Sequence, residues 1–339
     1  MTAWHSSLQS RWFAVARSDR VGRRPLAVTV MDLPLVLARL ASGELLALHD
    51  RCPHRQVPLS AGEVTADGLR CPYHGWAFAA NGRCTAMPGT APDAPLPDVS
   101  ARAVSVCELD GLIWVRLSPQ GDAAPPSLVS SLPAGSRRFL WQTAWDAPVV
   151  DALENFLDPL HTHLVHPGLV RKDGARRAVE VTLTDMADGF RVDYRGQPAQ
   201  SGLLYRLFES PRESECALFE GAGSAQLVYR YRNGAVVRIT LHFTPASATR
   251  THVFTTLHVE NRWAPAWAVR LFVWPFLKRV ATQDQRILAL QSANIARFGV
   301  ASARGVSTPM DLVSSRLERV WCPDESPAPP IVQRITLCL

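Results

Sequence analysis

A chain of 339 residues, 47% hydrophobic and 19% charged, has the composition of a folded globular protein and the length for two domains. Its net charge of +6 includes no dense Lys/Arg run, which excludes a nucleic-acid-binding patch; the excess fits either an acidic protein partner or a solvated arginine-rich surface. Seven cysteines, at 52, 71, 84, 107, 216, 322 and 338, are odd in number and scattered, which argues against a disulfide framework and for reduced thiols in a cytoplasmic protein.

The first residues, MTAWHSSLQSRWFAV, hold no apolar core of the kind a signal peptide needs, so none is expected. Between residues 10 and 118 the segments LAVTVMDLPLVLARL, ELLALHD and GLIWVRLS cluster or alternate apolar and β-branched residues. Turn signals at Ser42-Gly43 and Asp110-Gly111 separate them. Asn81-Gly82, between AFAA and RCTAM, predicts a tight hairpin. Residues 1–120 are therefore expected as a small all-β domain. The Pro/Ser/Gly-rich run PQGDAAPPSLVSSLPAG predicts a linker over 121–138.

VVDALENFLDPLHTHLVHPG predicts a helix ended by Pro167-Gly168. Strands return in VEVTLTDMADGFRVDYRG, AQLVYRYRNGAVVRITLHF and THVFTTLHVENRW, with a hairpin at Asn233-Gly234. A long helical stretch follows over roughly 265–298. Helix, antiparallel sheet and helix make residues 139–325 an α+β domain. Residues 326–339, at the end of the Pro-rich PDESPAPP, are expected as an irregular tail. The apolar stretch from Trp263 to Val280 is interrupted by Pro265, Arg270 and Pro275, so a membrane span is not expected.

Two stretches carry chemistry. Cys52-Pro53-His54 is answered, after sixteen residues, by Cys71-Pro72-Tyr73-His74. Two thiolates and two imidazoles can hold a tetrahedral zinc, or a [2Fe-2S] cluster with the cysteines on one iron and the histidines on the other. Pro53 and Pro72 stiffen the two loops, and Gly75 permits a tight turn. The second stretch, ENFLDPLHTHLVH, offers Glu154, Asp158, His161, His163 and His166. Imidazole with carboxylate and no thiolate suits non-heme Fe(II) and leaves coordination positions open. On a straight helix Glu154, Asp158 and His161 share one face. His166 falls off that stripe unless the helix kinks or ends near Pro159 or Pro167. Spacing alone equally permits His163 with His166 as the pair. Glu154 either faces the open side of an iron or is an ordinary helix carboxylate.

The sixteen-residue spacer, the CPYHGW ending and the surrounding β-domain resemble the Rieske iron–sulfur domain. The spacing E-x3-D-x2-H-x4-H from Glu154 to His166 is similar to the mononuclear-iron signature of the Rieske non-heme iron oxygenases. The resemblance implies that Cys52, His54, Cys71 and His74 bind a [2Fe-2S] cluster. These loops lack the extra cysteines of respiratory Rieske proteins, as in the lower-potential domains of oxygenases and their ferredoxins. It also implies His161 and His166 as ligands of Fe(II), with a late carboxylate as the third. In the family that carboxylate often stands in E-D-x6-Q; here Gln283-Asp284 is followed by Gln291, so Asp284 takes the role and Gln283 departs from the commoner acid. Asp158 is implied to hydrogen-bond an iron-ligand histidine and a cluster-ligand histidine of a neighbouring subunit, which implies a homotrimer.

The same resemblance implies a helix-grip (START-like) catalytic domain with an antiparallel sheet and a C-terminal helix. It implies O2 as co-substrate and NAD(P)H electrons from a separate reductase or ferredoxin. The reaction implied is hydroxylation or oxidative demethylation of an apolar or aromatic small molecule. The alternatives are a ring-dihydroxylating dioxygenase and a Rieske electron-transfer protein without the second iron, which would have no use for HTHLVH. The substrate pocket is expected between the sheet and the last helix. Trp263, Trp267, Phe272, Trp274 and Phe276 either line it or pack the helix onto the sheet. Arg191, Arg195, Arg206, Arg230, Arg232 and Arg238 either grip a carboxylate or are solvated.

Overall fold

The computed structural model describes residues 4–91, 94–122, 124–126, 128–129, 132, 137–170, 176–196, 210–260, 266–299, 305–322 and 331–339. The chain forms two compact units: residues 1–125 with 244–247, and residues 126–243 with 248–339.

The first unit is built from short strands: β1 (Phe13–Arg17), β2 (Leu26–Val30), β3 (Leu33–Arg39), β4 (Leu45–His49), β5 (Glu63–Val64), β6 (Leu69–Arg70), β7 (Ala77–Phe78), β8 (Cys84–Ala86), β9 (Ser105–Leu109) and β10 (Leu112–Arg116). They pair as three antiparallel sheets, ordered β1-β10-β9, β2-β3-β4 and β5-β6-β7-β8. The expected hairpin joins β7 to β8: Gly82 takes φ +83, and Asn81 Oδ1 accepts from the Arg83 N–H at 3.0 Å. Val36, Leu46, Leu48, Leu59, Leu69 and Phe78 bury one core, and Cys52, Cys71 and Cys84 are part of it. The two motif cysteines are thereby rooted in packed strand ends.

The second unit carries β11 (Arg137–Trp145), β12 (Ala178–Met186), β13 (Gly189–Arg195), β14 (Arg212–Glu220), β15 (Ser224–Tyr231), β16 (Val236–Ser247, whose last four residues group with the first unit), β17 (Arg250–Glu260) and β18 (Val332–Cys338). They form one sheet ordered β11-β17-β16-β15-β14-β13-β12-β18. β18 corrects the irregular tail expected for 326–339: Val179, Val181 and Leu183 of β12 register with Leu337, Ile335 and Gln333. The short VQRITLC run has β-forming residues, but no local pattern names its partner, about 150 residues upstream. Residues 323–330, which hold PDESPAPP, lie outside the described residues.

The helix expected over 149–168 is broken. Helix α1 (Val149–Leu157) ends at Asp158, which takes φ −89 and ψ 118, and α2 is a single turn (Thr162–Val165). Pro159 drives the residue before it out of the α region. Asp158 therefore shares no helix face with Glu154 and His161. The late helical stretch opens with Ala266–Ala268 and a π-helical turn over Val269–Val273, then continues as α3 (Trp274–Phe298). Pro275 has no N–H to offer the preceding turn, and the Trp274 N–H bonds instead to the Val269 carbonyl. Gly299, at φ +65, closes the helix.

The helix seats on the sheet through Trp141 of β11 and Trp274, edge to face at 4.2 Å, beside buried Phe139, Leu257 and Val269. A last helix, α4 (Ser314–Trp321), follows. No helix among the described residues is long and apolar enough to cross a membrane.

Candidate functional site

The two Cys/His loops are one turn built twice. In the first, the Cys52 N–H donates to Val57 O at 2.9 Å and the Gln56 N–H to Cys52 O at 2.9 Å. In the second, the Cys71 N–H donates to Trp76 O at 2.8 Å and the Gly75 N–H to Cys71 O at 3.2 Å. Gln56 and Gly75 occupy the same place and both are left-handed, at φ +64 and +73. The turn exposes His74, leaves His54 half-buried and buries the sulfurs: Cys52 and Cys71 are 2% and 3% exposed.

The rings of His54 and His74 lie 4.5 Å apart, and Trp76 stacks on His54 at 4.5 Å. Burial pushes the Cys52 thiol up, and the neighbouring Cys71 sulfur adds to this. Burial likewise lowers His54, with His74 contributing. The donor set is thus a sulfur pair and a separate imidazole pair. One tetrahedral ion draws at least three ligand atoms together at a single point. A paired set suits a two-iron cluster with different ligands on each iron.

One group among the described residues meets that condition: His161, His166 and Asp284. The break at Pro159 sets His161 just ahead of α2 and His166 at its end, with ring centroids 5.2 Å apart at 77°. Asp284 projects from α3. Its Oδ1 lies 2.9 Å from His166 Nε2 and 3.4 Å from His161 Nε2. Gln283 Oε1 accepts from His166 Nδ1 at 3.0 Å, which turns the Nε2 lone pair toward the carboxylate. Two electron pairs facing at that distance need a cation.

Without metal, a proton serves. Burial works to lower His161, but Asp158 and Asp284 outweigh it and raise the imidazole to about 9. Burial works to raise Asp284, and its bonds to His161 and His166 leave it below the usual carboxylate range. A divalent ion fits the same three atoms, with oxygen and nitrogen donors of the type ferrous iron accepts.

Asp158 stands 3.8 Å from His161 Nδ1, on the side away from Asp284. Its Oδ1 also accepts from the Leu160 N–H at 2.8 Å, tying down the turn that follows Pro159. Glu154 faces elsewhere, accepting from Ser314 Oγ of α4, and is not part of the cleft wall. His163 is buried but lies outside the three-residue group. Gln291, the last residue of the late motif, donates to Asp151 of α1 at 3.3 Å and so ties α3 to the helix that leads to His161.

The three residues open onto a cleft between the sheet, α1 and α3. Trp141, Phe156, Tyr194, Leu227, Tyr229 and Phe276 supply much of its apolar wall. Of the aromatic residues expected to line it, Phe276 does so, Trp274 packs on Trp141, Trp267 and Phe272 are exposed, and Trp263 lies outside the described residues. Arg191, Arg195, Arg230, Arg232 and Arg238 do not line it, and Arg206 lies outside the described residues. Sequence reasoning missed Asn155, Tyr194 and Glu215 in the cleft wall, and Gln283 as the partner of His166. Gln283 was visible only as a departure from an expected acid.

Comparison with known proteins matches residues 11–106 to the Rieske [2Fe-2S] domain. Residues 145–322, more than half of the chain, match the vanillate O-demethylase oxygenase C-terminal domain. A putative toluene-4-sulfonate monooxygenase iron–sulfur subunit from Comamonas testosteroni is 33% identical over 50% of this chain and 49% of its own length. Methylxanthine N1-demethylase NdmA from Pseudomonas putida is 35% identical over 49% of this chain and 47% of its own length. The matched region thus spans about half the length of these relatives. Among solved structures, dicamba monooxygenase bound to dicamba superposes with a TM-score of 0.77 at 20% identity, covering 94% of this chain and 96% of the other. NdmA with caffeine superposes with a TM-score of 0.78 at 24% identity, covering 92% and 90%. With an all-β Rieske domain leading into an α+β domain of large antiparallel sheet and C-terminal helix, the chain belongs to the Rieske non-heme iron oxygenases.

Proposed function

We propose that this chain is the oxygenase component of a multicomponent system that hydroxylates, or oxidatively demethylates, an apolar or aromatic small molecule. In this reading Cys52, His54, Cys71 and His74 hold a Rieske cluster, and His161, His166 and Asp284 hold Fe(II). Electrons come from NAD(P)H through a separate reductase or ferredoxin. The cluster would supply single electrons and the ferrous ion would supply dioxygen activation at its open positions.

The chain's own residues do the rest. Gln283 holds the His166 tautomer, and the Asp158 carboxylate orients His161 through Nδ1. The aromatic wall presents an apolar surface to a substrate beside His161, His166 and Asp284. Relatives named for N- and O-demethylation and for monooxygenation favour this branch over ring dihydroxylation. We place the protein in the cytoplasm as a homotrimer, with Asp158 reaching a cluster histidine of the adjoining subunit.

The observation that carries the proposal is the convergence of His161, His166 and Asp284 at the cleft. The test is turnover: reduced, iron-loaded protein is exposed to oxygen with a panel of methylated aromatics, and product mass is read. Gain of one oxygen atom, or loss of a methyl group as formaldehyde, is expected. Oxygen consumption without any modified product across the panel argues for an electron carrier.

A further inference from the structure

Three strands of the sheet bring one row of side chains into the cleft. Tyr194 on β13 registers with Glu215 on β14, and Glu215 registers with Tyr229 on β15. All three line the cleft. Glu215 is 8% exposed, and Arg212 donates to its Oε2. The Arg212 guanidinium also lies 4.3 Å from the centre of the Tyr229 ring but is not part of the cleft wall. A carboxylate has about four acceptor positions, so pairing with one guanidinium leaves capacity for another donor. A buried ion pair adds little stability over an apolar replacement; in a cleft wall it supplies an oriented acceptor.

Apart from His161 and His166, the charged side chains of the wall are carboxylates. They are Asp158, Glu215 and Asp284, and among the described residues no Lys or Arg lines the cleft. Asp284 faces His161 and His166, and Asp158 faces His161. Glu215 is therefore the carboxylate available to a ligand away from the three metal-binding candidates. Flanking aromatic rings favour a flat or cationic group beside it.

Resting on the reading of this cleft as the substrate site, we propose that it selects aromatic molecules bearing a hydrogen-bond donor. An N–H, an O–H or a protonated amine is held by Glu215 between Tyr194 and Tyr229, and aromatic carboxylates are rejected. An acidic ligand group at this position would meet the Glu215 carboxylate first, because its cation, Arg212, lies behind the wall.

The test compares three probes that share a ring and an O-methyl group: para-methoxybenzylamine, para-methoxybenzyl alcohol and para-methoxybenzoate. Their dissociation constants are measured by calorimetry on the oxidised, iron-loaded, full-length protein. The amine and the alcohol are expected to bind at least about tenfold more tightly than the benzoate, the difference one charge-assisted hydrogen bond supplies. Glu215→Gln should shrink the advantage of the amine by about the same factor. If the benzoate binds as well as the amine, if none of the three binds, or if Glu215→Gln leaves the ratio unchanged, the proposal is overturned. Should that variant not fold, the wild-type ratio decides alone. The measurement uses no reductant, so the two readings separate. A bound amine that never turns over counts against the oxygenase reading, whereas a preferred and hydroxylated benzoate counts against this ligand class.

Discussion

His166 and Gln283 form a partly buried hydrogen bond at 3.0 Å between α2 and α3, across 117 residues of chain. It directs the other imidazole nitrogen at Asp284. Partners of this kind typically carry 10–100-fold in metal affinity. Gln283→Leu is therefore expected to weaken ferrous-iron binding by about tenfold or more, while the cluster absorbance stays intact. Gln283→Glu, which keeps an acceptor at the same reach, should recover most of the affinity. Iron titration of the cluster-loaded protein checks both; equal affinity in the Leu variant removes the positioning role.

Asp158 joins a structural task to an electrostatic one. Its Oδ1 holds the turn at Leu160, and its charge faces His161. Asp158→Asn keeps an acceptor for the turn and loses the charge. Both metal sites should load normally, and product formation should slow by at least about tenfold. Single-turnover rates beside metal analysis test this. Unaltered turnover would remove Asp158 from the proposed path between subunits.

The pseudo-repeat of the cluster loops predicts an asymmetry. A Cβ at Gly75 would lie 2.9 Å from Pro88 Cγ, on a backbone at φ +73. Gly75→Ala should distort the second loop and lower cluster occupancy. Gln56 already bears a side chain at φ +64, so Gln56→Ala should be nearly neutral. Gln56→Gly should relieve about 1 kcal/mol of left-handed strain, partly offset by chain entropy. Cluster absorbance per chain and melting temperature report the three outcomes.

Acid sensitivity has an identifiable contributor in His242, buried against Ser224 at 2.8 Å. Burial, with Arg138 adding to it, pushes the imidazole from 6.5 down to about 3. The folded form stays neutral where the unfolded form takes a proton. Stability is therefore lost as pH falls below about 6.5, by roughly 1.4 kcal/mol per pH unit for this one group. Melting temperature should drop between about pH 7 and pH 4.5, and His242→Gln should flatten that slope. An unchanged slope would place the acid sensitivity elsewhere.

How far the sequence spoke depended on whether chemistry was local. Cys52, His54, Cys71 and His74 stand within one short stretch, because the metal chemistry dictates both residue type and spacing. The break between α1 and α2 follows from Asp158-Pro159, since a proline constrains the residue before it, yet the apolar pattern points to one helix running to Pro167, with a kink or end near Pro159 or Pro167 needed only to bring His166 into line. Asp284 carries only a weak local signal, Gln283-Asp284 followed by Gln291, which departs from the commoner acid and gains meaning through His161 and His166 upstream. Glu215 looks like an ordinary strand residue until the register sets it between Tyr194 and Tyr229. Strand β18 was missed because its partner, β12, lies far upstream. Local pattern recovers elements and motifs; pairings across long stretches come from the packed sheet.

In the proposed function, His161, His166 and Asp284 form a second iron site distinct from the Cys/His loops. Iron and acid-labile sulfide per chain, measured in wild type and in His161→Ala with His166→Ala, test it most directly. Wild type should hold about three irons and two sulfides per chain, and the double variant about two of each, with the reduced-cluster magnetic resonance signal unchanged. About two irons in both proteins would contradict it.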